Sequence, residues 1–163
     1  MKTTSVVTAF VLLTSAHFAQ AQSKDFSGRW VLDTHSTQPP NAPKKLETRI
    51  KQDGSEVTIE SVFQEPTNGI VPLVYLGVMA DRVKLSTDGQ EAQNTIGPFT
   101  MAAKSTVDGD QIQTDWTAQV KDDQVKGHWT QRLSDDGKHM TWDIQESSTH
   151  GQQGLATLTF VKK

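Results

Sequence analysis

Three tryptophans occupy equivalent places in three consecutive segments, and together they could line a binding site. Trp116, Trp129 and Trp142 each lie at an apolar position of a run in which apolar and polar residues alternate, as they do in a half-buried β-strand. Indole rings on neighbouring strands would form an aromatic wall for a small apolar or aromatic ligand. Aromatic side chains also dominate ordinary cores. The pattern therefore leaves core packing and ligand binding both open.

Polar residues share the inner side of the same segments. Thr114, Gln131 and Glu146 fall on the parity of the tryptophans, and an entirely dry core disfavours such groups. Thr114 and Gln131 are expected to face and satisfy each other, and Glu146 lies near a strand end, where it could reach solvent. Trp30 and Phe63 are further aromatic candidates. The predicted ligand-binding set is Trp30, Phe63, Thr114, Trp116, Trp129, Gln131, Trp142 and Glu146.

Motifs for covalent or metal chemistry are not found in the sequence. It contains no phosphate-binding loop, no Gly-x-Gly-x-x-Gly, no His-Glu-x-x-His and no nucleophile-elbow serine. The histidines after the leader (His35, His128, His139 and His150) are spread out, which favours solvated surface positions over a metal site. The aspartates at 108, 110, 122, 123, 135 and 136 all occupy expected turns, where aspartate is favoured. No catalytic residue, metal or cofactor is predicted.

Hairpin turns must bring the three tryptophan segments together. Expected turns at Asp108–Asp110, at Lys121–Gln124 and across Ser134–His139 place all three hairpins on one inner face. Agreement among successive hairpins indicates a foldable meander. The predicted cross-strand pairs are Val107 with Ile112, Ala103 with Trp116, Val120 with Val125, Trp116 with Trp129, Leu133 with Met140 and Gln131 with Trp142.

The rest of the chain also reads as strands and loops. A first strand presents Trp30 and Leu32, and the other expected strands are Leu46–Gln52, Glu56–Phe63, Val83–Thr87 and Gly154–Val161. Proline-bearing loops are expected at His35–Lys45 and Pro66–Pro72, and Val71–Met79 is an apolar run without alternation. Eight to ten strands with tight turns and no helical period predict an antiparallel up-and-down β-barrel. A β-sandwich is the alternative.

The N-terminal residues predict export. Lys2, the apolar core Val6–Leu13 and the small residues Ala19 and Ala21 form a signal peptide over residues 1–21. The mature chain, one domain over residues 22–163, is expected to begin at Gln22 in the periplasm or outside the cell. No cysteine is present, which excludes a lipoprotein anchor and disulfides. A formal net charge of −3 argues against nucleic-acid binding.

Three motifs carry a resemblance to a known class of proteins. Phe26–Leu32 contains Gly-x-Trp at the start of the first strand, and Ser86–Asn94 and Leu133–Lys138 add ordered turn motifs. The set resembles lipocalins and other calycins, and more closely a family of exported bacterial lipocalin-like proteins. The resemblance implies a barrel fold and assigns no site. Lipocalins cap the first-strand tryptophan with a last-strand arginine that is missing here, and Arg132 is the candidate for that role.

The resulting function hypothesis is an exported lipocalin-like protein that binds a small apolar or aromatic molecule in the barrel interior. Two alternatives stay open because fold does not decide function. One is an envelope interaction or structural module with a filled core, in which the two proline-bearing loops make the contacts. The other is an enzyme built in the cavity around Glu146.

Overall fold

The computed structural model describes residues 24–37, 43, 45–64 and 80–163 of the chain. These residues form ten β-strands joined by short turns. The strands are β1 Gly28–Leu32, β2 Lys45–Asp53, β3 Glu56–Gln64, β4 Arg82–Ser86, β5 Asp88–Ile96, β6 Phe99–Asp108, β7 Gln111–Val120, β8 Asp123–Leu133, β9 His139–Ser148 and β10 Gln153–Lys162. Within the described ranges there is no helix long and apolar enough to cross a membrane.

All ten strands belong to one antiparallel sheet that curls into a nearly closed barrel. The order in the sheet is β4-β3-β2-β1-β10-β9-β8-β7-β6-β5, so each strand neighbours the next in sequence and the pairing of β1 with β10 joins the first and last described strands. This arrangement confirms the predicted up-and-down barrel and excludes the β-sandwich. The strands expected before and after the three tryptophan segments are present as β1, β2, β3, β4 and β10.

A side chain bridges the gap between the two edge strands of the described sheet. β4 and β5 are the two edges of the sheet and lie side by side. The Asn94 side chain on β5 accepts a hydrogen bond from the Lys84 backbone N–H at 2.6 Å and donates one to the Lys84 carbonyl at 2.9 Å. The amide of Asn94 thus imitates a strand partner, which satisfies backbone groups at an otherwise unpaired edge.

Alternation of buried and exposed residues sends one side of most strands inward. On β7, even-numbered residues from Ile112 to Ala118 are buried, whereas residues between them are exposed. The interior combines side chains from all parts of the described chain, among them Leu46, Ile59, Leu85, Met101 and Phe160. Alternation with period two is what the sequence pattern predicted, and it assigns each tryptophan of the meander to the inner face.

The hairpin registers confirm most of the predicted cross-strand pairs. Val107 pairs with Ile112, Ala103 with Trp116, Leu133 with Met140 and Gln131 with Trp142. The β7–β8 prediction was wrong by two residues: Ala118 pairs with Val125, Thr114 with Trp129 and Trp116 with Gly127. The turn is shorter than expected, because Val120 already pairs with Asp123 and Lys121 adopts a positive φ of 56°. A shift of two keeps every side chain on its predicted face.

The cap on the first-strand tryptophan is a lysine of the last strand. The Nζ atom of Lys162 on β10 lies 5.2 Å from the ring centroid of Trp30, in the geometry of a cation–π contact. The prediction that Arg132 fills this role was wrong, since Arg132 lies on β8 and pairs with Asp143 at 3.1 Å. Trp30 also donates its indole N–H to the Phe26 carbonyl at 3.0 Å.

Several predictions fall outside the described residues. They concern the signal peptide over residues 1–21, the loop Pro66–Pro72, the apolar run Val71–Met79 and the middle of the loop His35–Lys45.

Candidate functional site

The three tryptophans of the meander form a continuous aromatic row inside the barrel. The ring centroids of Trp116 and Trp129 are 5.5 Å apart with an interplanar angle of 53°, and those of Trp129 and Trp142 are 5.4 Å apart at 83°. Phe160 on β10 extends the row at 6.3 Å from Trp142. Such tilted and edge-to-face contacts are the arrangements that aromatic rings prefer. The row crosses four adjacent strands, β7 to β10.

The other two aromatic candidates lie elsewhere. Trp30 is fully buried on β1, where its indole N–H and ring face are occupied by Phe26 and Lys162. Phe63 on β3 is partly buried and packs against the core opposite Leu46. β3 is five strands from β8 in the sheet order, so Phe63 lies across the barrel from Trp129.

The polar candidates meet different partners from those predicted. Thr114 does not face Gln131; its hydroxyl is 2.8 Å from that of Ser105 on β6, and its cross-strand neighbour is Trp129. Gln131 lies between Ile112 and Trp142 and is fully buried. Both the oxygen and the nitrogen of its amide lack a hydrogen-bond partner among the described residues. The two-residue register shift is the reason that the expected pair is not made.

Glu146 is enclosed in the interior. The sequence left open that it reaches solvent from the end of its strand, but the side chain is buried. It is 4% exposed, on β9, with Gly127 of β8 directly opposite on one side and Gly154 of β10 on the other. Both carboxyl oxygens are buried without a hydrogen-bond partner in the described part of the chain. A carboxyl between two glycines has no neighbouring side chain at the same level of either flanking strand.

Burial raises the pKa of Glu146 to about 8, because desolvation penalises the charged form. The indole N–H of Trp129 favours the ionised form and lowers this pKa by a smaller amount, although the pair does not reach normal hydrogen-bond geometry. At neutral pH the carboxyl is therefore mainly protonated. A group of this kind can donate a proton or, if a cation approaches, become an anion.

Unsatisfied polar atoms are concentrated along β7, β8 and β9. Hydroxyl pairs satisfy the buried Ser105 and Thr114 at 2.8 Å and the buried Thr48 and Ser61 at 3.3 Å. In contrast, a set of inward polar atoms finds no partner among the residues that the structure describes: the indole nitrogens of Trp116, Trp129 and Trp142, the Gln131 amide, the Glu146 carboxyl and the Ser148 hydroxyl. Native interiors rarely leave such groups unpaired. Their clustering marks this wall as the candidate site.

A glycine allows one of these indoles to lie against the backbone. A Cβ atom at Gly127 would be 2.2 Å from the Cε2 and Nε1 atoms of Trp116, so only glycine leaves room for the ring. The predicted ligand-binding set did not include Gly127, Gly154 or Ser148. A glycine inside a strand pattern is itself a signal of close approach.

We expect Gly127→Ala to destabilise the protein by about 1 to 3 kcal/mol, the usual cost of overpacking. The added methyl group must push the Trp116 ring away from β8. Urea unfolding of Gly127→Ala, Trp116→Leu and the double variant measures the coupling. Because the smaller leucine makes room for the methyl group, the double variant should lose less stability than the sum of the two single losses. Additive losses would show that the ring and the glycine do not contact each other.

The outer face holds separate polar pairs. His128 lies 2.8 Å from Asp115 and 3.3 Å from the Thr130 hydroxyl, and His150 lies 3.2 Å from Asp123. The carboxyl of Asp123 also accepts a bond from Thr149, which holds its pKa well below the usual range. In the described ranges no three His, Cys, Asp or Glu side chains converge as a metal site would require.

Comparisons with known proteins identify the fold and leave the family open. No protein-family model matches the sequence, and no curated protein matches it. Among solved structures, a secretory abundant heat soluble protein of Ramazzottius varieornatus is 12% identical with a TM-score of 0.53, and the match covers 88% of this chain and 98% of that one. Secretory abundant heat soluble protein 4 of the same organism is 13% identical with a TM-score of 0.52, and the match covers 85% of this chain and 94% of that one.

The fatty-acid-binding protein of Manduca sexta is also similar. It is 13% identical with a TM-score of 0.51, and the match covers 84% of this chain and 99% of that one. Likeness at this identity shows the fold alone. The described residues form an antiparallel up-and-down β-barrel of ten strands, the fold that these neighbours share.

Proposed function

We propose that this protein binds a small molecule with an apolar or aromatic body inside the barrel, against β7, β8 and β9. The observation that carries the proposal is the cluster of buried, unpartnered polar atoms beside the aromatic row. Ligand sites combine apolar and aromatic walls with a few polar groups that orient the bound molecule. The row of indoles supplies the wall, and Gln131 and Glu146 supply the polar groups.

The energetics support a ligand over a filled core. Each buried polar group without a partner costs about 1 to 3 kcal/mol. Several such groups on three adjacent strands would remove much of the stability of an ordinary domain, which is about 5 to 15 kcal/mol. Solvent or a ligand that supplies hydrogen-bond partners removes this cost. The filled-barrel alternative offers no such partners from the described residues.

The size of the barrel also supports the proposal. An eight-stranded barrel is just wide enough to be filled by its own side chains or to hold one small ligand. Ten strands enclose a wider interior. The Manduca sexta neighbour is a fatty-acid-binding protein, and the shared fold is compatible with an interior ligand. The proposed role is binding without chemical conversion of the ligand.

Export completes the proposal. The charged, apolar and small-residue regions of residues 1–21 support a signal peptide that is removed after Ala21. The protein would then act in the periplasm or outside the cell, where it would meet its ligand.

Native mass spectrometry of the protein purified from the periplasm of its own host tests both parts. The expected result is a chain that begins at Gln22, carrying a stoichiometric small molecule that organic extraction releases. A chain that retains residues 1–21 and stays inside the cell would contradict export. A bare mass, together with no change in tryptophan fluorescence when apolar compounds are added, would contradict ligand binding and favour protein partners.

A further inference from the structure

The buried carboxyl of Glu146 narrows the chemical class of the proposed ligand. This inference rests on the proposed function, a binding site inside the barrel. We infer that the ligand carries a positively charged nitrogen, as an organic ammonium group, held between the Glu146 carboxylate and the indole rings of Trp116 and Trp129. Three observations lead to this assignment: the isolated acid in the interior, the position of the two indoles beside it and the free oxygens of its carboxyl.

Glu146 has no basic partner among the interior residues that the structure describes. It is the one ionisable side chain that is buried among the described residues, whose Lys, Arg and His side chains are all exposed or only partly buried. In the sequence, the internal ranges 38–42, 44 and 65–79 contain a single basic residue, Lys44. Buried carboxyls are normally paired with a cation or hydrogen-bonded. A cationic ligand would supply the missing partner.

An anionic ligand fits this interior poorly. A carboxylate headgroup placed beside Glu146 would meet a group of the same charge when Glu146 is ionised. It would find no interior cation in the described part of the barrel. The charge of the site therefore discriminates against fatty acids and other carboxylates, although the fold itself does not.

The two indoles are placed to contact a cation at the carboxyl. Trp116 lies against Gly127, which is directly opposite Glu146. Trp129 is two residues further along β8 on the same inner face, and its ring centroid is 5.5 Å from that of Trp116. Tryptophan is the best cation–π partner, and the contact strengthens when the cation is desolvated. An acid with two adjacent indoles is a combination that recognises quaternary and protonated amines.

Binding of such a ligand must move a proton. At pH 7 the Glu146 carboxyl is mainly protonated; when a permanent cation binds, the O–H bond breaks, the proton leaves to solvent and the carboxylate remains as the counter-charge. The titratable groups of β7 and β8 that lie near Gly127, Asp115, Lys126 and His128, are on the outer face. On β10 the residues flanking Gly154 are Gln153 and Leu155, which carry no charge. Glu146 is thus the group that titrates with binding.

Three small probes of matched shape test the charge requirement on the mature protein. They are benzyltrimethylammonium, its neutral isostere neopentylbenzene and the anion 3-phenylpropanoate. Tryptophan fluorescence and calorimetry measure the binding of each probe. Because benzyltrimethylammonium does not titrate, its affinity is expected to rise about tenfold per pH unit from pH 6 and to level off above the pKa of Glu146. Calorimetry in buffers of different ionisation enthalpy should detect release of nearly one proton per cation at pH 7.

Two variants provide the controls. Glu146→Gln preserves the size of the side chain and removes its charge, so it should abolish both the pH dependence of cation binding and the proton release. Glu91→Gln, on the exposed outer face of β5, should bind all three probes as the wild type does. Circular dichroism establishes that both variants are folded. Glu146→Asp, which keeps the acid, should retain a preference for the cation.

Each other outcome overturns the assignment in a distinguishable way. If neopentylbenzene binds as tightly as the cation at every pH, or if affinity falls above pH 8, the ligand is neutral and accepts a hydrogen bond from protonated Glu146. The assignment then fails and the proposed function stands. If 3-phenylpropanoate binds best, the charge argument is wrong. If no probe binds and native mass spectrometry also finds no ligand, both the assignment and the proposed function fail.

Discussion

The Glu146→Gln variant is expected to be more stable than the wild type above neutral pH, by several kcal/mol at pH 8.5. In the folded protein the pKa of Glu146 is raised to about 8 from an ordinary value of 4.5, so the folded state holds this proton more tightly than the unfolded state. The favourable contribution of the group is fully present below pH 4.5 and is lost as the pH rises to about 8. The loss amounts to about 1.4 kcal/mol per pH unit and on the order of 5 kcal/mol in total.

Urea unfolding between pH 5 and pH 9 measures this effect. The difference in unfolding free energy between variant and wild type should be small at pH 5, grow up to about pH 8 and then level off. Carboxyls with lowered pKa values, such as Asp33, Asp88 and Asp136, stabilise the folded state above their unfolded pKa, but they are present in both proteins and cancel. Glu91→Gln is the control and should follow the wild-type curve. Parallel curves for Glu146→Gln and wild type would disprove a raised pKa.

The Trp129→Ala variant is expected to lose about 3 to 5 kcal/mol of unfolding free energy, the usual cost of truncating a buried tryptophan. Trp129 is completely buried and contacts Trp116 on one side and Trp142 on the other. Removing the ring leaves a cavity and ends two aromatic contacts, each of which contributes about 0.5 to 1.5 kcal/mol beyond burial.

Trp30→Ala is the matched control for the role of Trp129. Trp30 is equally buried, but it lies on β1 and its indole N–H is already paired with Phe26. Urea unfolding should show a large loss for both variants, whereas ligand-induced fluorescence change should disappear in Trp129→Ala and persist in Trp30→Ala. A loss below 1 kcal/mol for Trp129→Ala would mean that the ring is not packed between its neighbours. Equal loss of ligand response in both variants would show that only stability had changed.

The local sequence pattern was sufficient for the fold and for the side of each strand that faces inward. Alternation with period two is a property of a few consecutive residues, and it placed Trp116, Gln131 and Glu146 in the interior. Two turns were also readable, because Gly109 and Gly137 adopt the positive φ that glycine favours. At Lys121 a non-glycine residue takes that conformation, so the shorter turn, and with it the β7–β8 register, was missed.

Only the tertiary structure decided the contacts of inward residues that the turn positions did not specify. The partner of Thr114 is Ser105, the cap of Trp30 is Lys162, and the neighbours of Glu146 are two glycines. These contacts depend on strand register and on the closure of the sheet by β1 and β10, which bring together residues far apart in the chain. A periodic pattern carries no information about such distances, because it repeats unchanged when a strand slides by two residues. The faces of the strands are therefore a local property of this sequence, whereas the unpaired acid beside the indoles exists only in the closed barrel.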